Sequence, residues 1–188
     1  MSLQAVVIGA SAGGVHALLQ VLPSLPDDFP AAILVVVHIP PRRDNALVAL
    51  LAEKCRLNVK EAEDKEPILP GTIYMGPPDY HLLVESDGTI ALSSDEAVNH
   101  SRPAIDVLFE SAADAFGDRL AGIIMTGANH DGARGLRAVC DAGGHAIVQA
   151  PATAEVAYMP EAALAACPAA RAIDLEDLPS VLEEMLDQ

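Results

Sequence analysis

The sequence predicts an α/β fold, a doubly wound, mostly parallel sheet with a short antiparallel edge hairpin. Three observations predict it. The runs Ala5–Ile8, Ala32–Val37 (leading to His38) and Ala121–Met125 are continuously apolar, the pattern of strands buried on both faces of a parallel sheet. Helical spacing of apolar residues separates these runs. A block between residues 71 and 93 instead shows short strands punctuated by Gly and Pro.

The elements follow in order. Gln4–Gly9 reads as a strand and Gly13–Leu22 as a helix, with a turn-rich connection through Pro23, Pro26 and Asp28. Ala32–His38 is a strand, Arg42–Cys55 a helix and Asn58–Ala62 a short strand, and Pro67 to Pro70 breaks the pattern. Gly71–Met75, Tyr80–Glu85 and Thr89–Ser93 are grouped as the antiparallel edge, with Ser86-Asp87-Gly88-Thr89 as the hairpin turn. Arg102–Phe116 is amphipathic, with Ile105, Leu108, Phe109, Ala112 and Ala113 on one face. Ala121–Met125 and His145–Gln149 are strands, and 131–142, 160–166 and 175–186 are helices. With no repeat or linker, the expectation is one domain over residues 1–188.

Hydrophobic residues make up 51% of the chain and aromatics only 3%, so the core is built from Ala, Val, Leu and Ile. The net charge of −16 repels phosphate backbones and anionic lipid, which argues against nucleic-acid partners and membrane docking. Cys55, Cys140 and Cys167 are widely spaced and fit a reducing cytosol. No apolar run approaches membrane-spanning length and the N-terminus lacks a basic signal region, so a cytoplasmic protein without membrane insertion is expected.

Ser11 lies in Gly9-Ala10-Ser11-Ala12-Gly13, a Gly-x-Ser-x-Gly window between a strand and a helix. Helix N-termini present free N–H groups that suit the oxyanion of acyl transfer. In open α/β sheets, sites form beyond the carboxyl ends of strands. The first strand leads to Ser11, the second ends at His38, and the strand at 121–125 runs into Thr126-Gly127-Ala128-Asn129-His130-Asp131-Gly132. If these strands are neighbours, Ser11, His38 and Asp131 converge as nucleophile, base and acid.

Plainer readings stand beside this one. Ser11 and Asp131 could each cap the helix that follows, His38 could be a buried structural histidine, and His130 is an alternative base. Gly9, Gly13 and Gly14 do not form Gly-x-Gly-x-x-Gly and no acidic residue ends the second strand, so no dinucleotide cofactor is expected. No His-x-x-x-His or Cys-x-x-Cys spacing exists, and no metal is expected. His16, His81, His100 and His145 are read as structural or solvated.

The chain resembles the catalytic domain of the chemotaxis protein-glutamate methylesterases (CheB). The resemblance rests on Val7-Ile8-Gly9-Ala10-Ser11-Ala12-Gly13-Gly14, Val36-Val37-His38-Ile39-Pro40, Pro70-Gly71-Thr72-Ile73-Tyr74 and Pro77-Pro78-Asp79-Tyr80-His81-Leu82. It continues through Ser101 to Phe109, Thr126 to Ala133, Gln149 and Tyr158-Met159-Pro160. It implies a triad at Ser11, His38 and Asp131, an oxyanion amide at Ala128 beside that of Ala12, and no cofactor. The implied reaction is hydrolysis of glutamate γ-methyl esters on chemoreceptor cytoplasmic helices, with glutamine deamidation as a side activity.

The chain departs from the family pattern. The family loop commonly reads Thr-Gly-Met-Gly-Asn-Asp-Gly, where this chain has Ala128-Asn129-His130 before Asp131, and Ala12 replaces a common Thr. Ser11 stands ten residues after Met1, which leaves no room for the usual receiver domain. Constitutive activity, a regulator in trans, or truncation of a longer chain is expected. Arg42, Arg43, Arg102 and Arg134 are candidates for a basic border, with Arg102 as the substrate-binding candidate. The alternatives are a non-catalytic module that binds receptor or signalling helices, and an α/β-hydrolase for small esters.

Overall fold

The computed structural model describes residues 2–39 and 46–186. Seven parallel strands form the main sheet: β1 (Ala5–Ala10), β2 (Ala32–Val37), β3 (Asn58–Glu61), β4 (Thr72–Met75), β7 (Leu120–Ile124), β8 (His145–Gln149) and β9 (Arg171–Ile173), in the order β3-β4-β2-β1-β7-β8-β9. Every residue of β1, β2 and β7 is buried, as their uninterrupted apolar runs require of strands covered on both faces. The chain adds strands on one side of β1, then returns to add β7 on the other. The topological switch therefore falls at β1.

Among the described residues, six α-helices cover the sheet. α1 (Gly14–Val21), α2 (Ala46–Lys54) and α6 (Leu178–Leu186) pack one face through Leu18, Val21, Leu51, Val181 and Leu182. α3 (Ile105–Phe116), α4 (Ala133–Asp141) and α5 (Tyr158–Ala166) cover the other through Ile105, Leu108, Leu136, Val139 and Met159.

The antiparallel pair, β5 (His81–Val84) and β6 (Ile90–Ser93), forms its own two-stranded sheet and packs Leu82, Val84 and Ile90 into the core of this second face. Thr72–Met75, grouped with that pair on sequence, is instead β4, a fully buried parallel strand between β3 and β2. Short buried strands carry no directional signal, which is why the grouping failed. The three-residue β9 was not anticipated: Arg171 and Ala172 are exposed, and it has no apolar run to announce it. The expected helix from Arg42 is described from Ala46 onward, and its first residues lie outside the described ones.

α3 begins at Ile105 rather than Arg102, because Arg102 is drawn into the loop. Its guanidinium donates to Asp79 Oδ1 (2.8 Å from Nη2) and to the carbonyls of Ser94 (3.0 Å) and Asp95 (3.1 Å).

Close approach of α3 and α4 depends on Gly135. A Cβ there would stand 2.6 Å from Phe109 Cβ and 3.1 Å from Asp106 Cα. Neither atom can yield without moving α3. Gly135→Ala is expected to destabilise the fold by roughly 1–3 kcal/mol, the usual cost of overpacking. A urea-unfolding midpoint unchanged from wild type would contradict this packing.

Candidate active site

Ser11, His38 and Asp131 leave the C-terminal edge of three adjacent strands, β1, β2 and β7. The parallel ladder continues past the strand ends. His38 N–H donates to Ala10 O (3.1 Å), Met125 N–H to Gly9 O (2.9 Å) and Ser11 N–H to Thr126 O (2.9 Å). These rungs bring Ser11, His38 and Thr126 to one level of the rim.

Ser11 does not cap α1. The N-cap is Gly13, at φ 80°, with no side-chain cap. A Cβ on Gly13 would meet Glu155 Oε2 at 2.7 Å, so both the backbone angle and the space demand glycine. Ser11 itself lies outside the left-handed region, unlike the strained serine of an α/β-hydrolase elbow. Its side chain is half-buried and makes no hydrogen bond among the described residues. With His38, Val15, Ile39 and Glu155 it lines an open cavity of about 300 Å³. A second cavity of about 350 Å³, lined by Pro78, Asp79, His100 and Arg102, also includes His38.

The His38 side chain is 13% exposed, and its Nε2 lies 2.8 Å from Asp131 Oδ2, whose side chain is fully buried. Asp131 does not cap its own helix either: the N-cap of α4 is Gly132, at φ 96°. Its carboxylate instead caps α3. Oδ2 accepts from the Ile105 N–H (2.7 Å), and Oδ1 from the Asp106 N–H (3.1 Å) and the Asn99 side-chain amide (2.8 Å). Asp106 returns the arrangement, since its Oδ1 accepts from Gly132 N–H (3.0 Å) and Gly135 N–H (2.7 Å) at the start of α4. Each carboxylate thus lies at the positive end of the other's helix. Asn99, held at φ 53°, ties the two together by donating also to Asp106 Oδ2 at 2.7 Å.

Burial pushes the Asp131 carboxyl up. The hydrogen bonds from His38, from the Ile105 and Asp106 amides and from Asn99 outweigh that, and the group ends below the ordinary carboxylate range. Asp131 therefore stays ionised beside the imidazole at neutral pH.

Thr126 ties the rim to its neighbours. Its Oγ1 donates to Ala12 O (2.8 Å) and accepts from Val156 N–H (2.9 Å), while its own N–H is held by Gln149 Oε1 (2.9 Å). Ala12 and Ala128 are exposed, and neither N–H has an acceptor among the described residues. Two backbone donors thus remain free on the rim.

The remaining expectations sort by burial. His81 is buried and structural: its Nε2 donates to Glu96 O (2.8 Å) and its Nδ1 accepts from Ala104 N–H (3.2 Å). His130 is exposed, and it is the His38 ring, not that of His130, that is hydrogen-bonded to Asp131. Arg102 lines the second cavity while most of its donors serve Asp79, Ser94 and Asp95. Arg134 pairs with Glu110, and Arg42 and Arg43 lie outside the described residues. The three thiols are free, and burial above all, helped by the Cys140 side chain, pushes Cys167 up to about 11.

Asn99, Asp106 and Asn129 were missed on sequence. Asn129 Nδ2 lies 3.2 Å from His38 Nδ1, and its Oδ1 accepts from Asp131 N–H at 3.0 Å. The available signal was the departure of the 128–130 loop from the family pattern.

This geometry meets its counterpart among known proteins. The CheB methylesterase family model matches residues 6–182. The chain belongs to the CheB methylesterase family. A putative protein-glutamate methylesterase/protein-glutamine glutaminase from Leptospira interrogans is 47% identical over 178 residues, which cover 95% of this chain and 92% of that protein. A protein-glutamate methylesterase/protein-glutamine glutaminase from Symbiobacterium thermophilum is 42% identical over 155 residues, 82% of this chain but only 43% of that longer relative. The crystal structure of the Thermotoga maritima CheB methylesterase catalytic domain matches with a TM-score of 0.93 at 34% identity, over 98% of this chain and 100% of that one. The fold class and the family resemblance read from the CheB motifs are both borne out.

A carboxyl held below its ordinary value stabilises the fold above the unfolded-chain value, about 3.9 for Asp, and that contribution is lost as pH falls through the folded value. Asp131→Asn is therefore expected to be less stable than wild type at neutral pH, with the gap closing below about pH 4. Urea titrations at stepped pH measure it; a gap that stays constant into acid would contradict the ionised assignment.

Proposed function

We propose that this CheB-family chain is a protein-glutamate methylesterase that hydrolyses glutamate γ-methyl esters on the cytoplasmic helices of chemoreceptors. Ser11 serves as nucleophile, His38 as base and Asp131 as acid. The observation that carries the reading is the His38 Nε2–Asp131 Oδ2 hydrogen bond at 2.8 Å, on the rim where β1 delivers Ser11.

The chemistry follows from that pairing. Asp131, ionised and buried, accepts a hydrogen bond from the Nε2–H of His38 and so leaves Nδ1 with its lone pair. Nδ1 accepts the Ser11 hydroxyl proton as Oγ bonds to the ester carbonyl carbon. Negative charge develops on the carbonyl oxygen, and the free N–H groups at Ala12 and Ala128 are the donors proposed for it. As the C–O bond breaks, His38 returns the proton to the methoxide and methanol leaves. Water then attacks the acyl-enzyme, with His38 again as base, and releases the glutamate side chain and Ser11. A glutamine side chain follows the same path with ammonia as leaving group, which is the proposed side activity.

The cavity shared by Ser11 and His38 receives the ester side chain in this reading, and the exposed Val15 and Ile39 meet the apolar surface of the receptor helix. Arg102 lines the second cavity, which His38 also borders. The proposed substrate places the enzyme in the cytoplasm, and among the described residues no helix is long and apolar enough to cross a membrane. His38 borders two open cavities, so a partner protein bound across this rim in trans is the proposed means of control. A non-catalytic binding role is not favoured: it gives no reason for a buried carboxylate to hold an imidazole on the rim that carries a serine whose hydroxyl has no partner among the described residues.

Ser11→Ala and His38→Ala are each expected to lower methanol release from methylated receptor on the order of 10⁴-fold or more; Ser11→Ala keeps an unfolding curve like wild type, while His38→Ala, which takes a donor from buried Asp131, is less stable. Turnover by folded Ser11→Ala at the wild-type rate would overturn the nucleophile assignment. Ala128→Pro removes one rim N–H, and its expected loss is about 10²- to 10³-fold in kcat. An unchanged kcat in that variant moves the oxyanion site elsewhere.

A further inference from the structure

The nitrogen that His38 needs for catalysis is already engaged, and not by Ser11. Asn129 Nδ2 stands 3.2 Å from His38 Nδ1, while Ser11 Oγ has no hydrogen-bond partner among the described residues. The orientation of the Asn129 amide is set independently. Its oxygen accepts from the Asp131 backbone N–H at 3.0 Å, so its NH₂ end must face the imidazole. On the other side of the ring, Asp131 is ionised, with Oδ2 accepting from the Ile105 N–H and Oδ1 from the Asp106 N–H and Asn99, so its bond to His38 is accepted and the ring proton is assigned to Nε2. Both arguments, from opposite edges of the imidazole, leave Nδ1 as the acceptor of the Asn129 N–H.

We propose that Asn129 is a positioning residue that clamps the base. Its amide N–H holds the Nδ1 lone pair of His38 in the resting enzyme and must release it before Ser11 can transfer its proton there. The inference rests on the triad reading above. An imidazole nitrogen has one in-plane lone pair, so Asn129 and Ser11 compete for it. Once Nδ1 is protonated it becomes a donor facing a donor, and the clamp cannot re-form until the proton leaves with methanol. Two effects follow. The Nε2–H tautomer is locked before substrate arrives, and every acylation begins by breaking one hydrogen bond. Asn129 is half-buried between the exposed Ala128 and His130, in a loop on the open rim, so a docked substrate can reach and displace its side chain.

A fluorophosphonate probe tests this. In its reaction Ser11 Oγ bonds to phosphorus, the P–F bond breaks, fluoride leaves, and the Ser11 proton passes to His38 Nδ1. Asn129→Ser keeps a short side-chain oxygen for the Asp131 N–H but cannot reach His38; Asn129→Gly removes both contacts and serves if the first variant folds poorly. Each is expected to raise the limiting rate of Ser11 labelling roughly two- to ten-fold, the range set by one net hydrogen bond, with the half-saturating probe concentration unchanged. Ring ¹⁵N NMR of wild type is expected to show the proton on Nε2.

Labelling of wild type at Ser11, with both variants no faster than wild type, overturns the clamp and leaves the triad standing. A wild-type ring proton on Nδ1 overturns the clamp and also the assignment of Nδ1 as the nitrogen that takes the Ser11 proton, while labelling at Ser11 still reports on the nucleophile separately. Failure of wild type to be labelled at Ser11 overturns the triad itself, and a rate that rises only through tighter probe binding assigns Asn129 to substrate contact instead.

Discussion

A fully buried carboxylate holds this site together. Taking an isolated carboxylate out of water costs several kcal/mol, so Asp131 can remain ionised only if donors surround it. Four do: His38, two backbone amides at the start of α3, and Asn99. The same bonds that satisfy the charge also fix the imidazole, anchor the N-terminus of α3 and hold the loop that carries Asn99. Asp106 repeats the device at α4. Because each helix end neutralises a carboxylate tied to the other helix, the relative placement of α3, α4 and the loop after β7 is one electrostatic problem with one solution.

That network needs the sheet beneath it to be dense and the helices to be close. Gly9 illustrates how close: a Cβ there would lie 2.4 Å from Ile105 Cγ2, so α3 rests directly on the backbone of β1. A core built from Val, Ile, Leu and Ala, with almost no large aromatics, permits this approach, and glycines at the contact points complete it. The consequence reaches the chemistry. The N-terminus of α3 arrives within hydrogen-bond reach of Asp131 because nothing bulky separates the helix from the strand that carries Ser11.

The loop from Thr126 to Gly132 concentrates the remaining functional geometry in seven residues. Thr126 fastens it to the turn after β1 and to the segment before α5. Ala128 offers the rim an amide with no acceptor among the described residues. Asn129 faces one edge of His38 and Asp131 the other. Strand alternation cannot produce such an arrangement, since it depends on a loop whose side chains point by turn chemistry rather than by periodicity.

The strand ends at Ser11 and His38, and the polar loop with Asp131, were legible in the sequence because buried parallel strands are continuous apolar runs and sites gather at their carboxyl ends. The family motifs likewise stood in the chain as written, and the comparisons agree with them. The strand order, the inclusion of Thr72–Met75 in the parallel sheet and the three-residue β9 were not legible, because a short strand takes its direction and neighbours from long-range pairing. Asn99, Asp106 and Asn129 escaped for a related reason. Each owes its role to a partner between 7 and 91 residues away in the chain. Local sequence determined which segments are buried and which residues end them; only the packed fold decided which donor each buried carboxylate and each imidazole nitrogen would meet, because desolvated charge is satisfied in space and not along the chain.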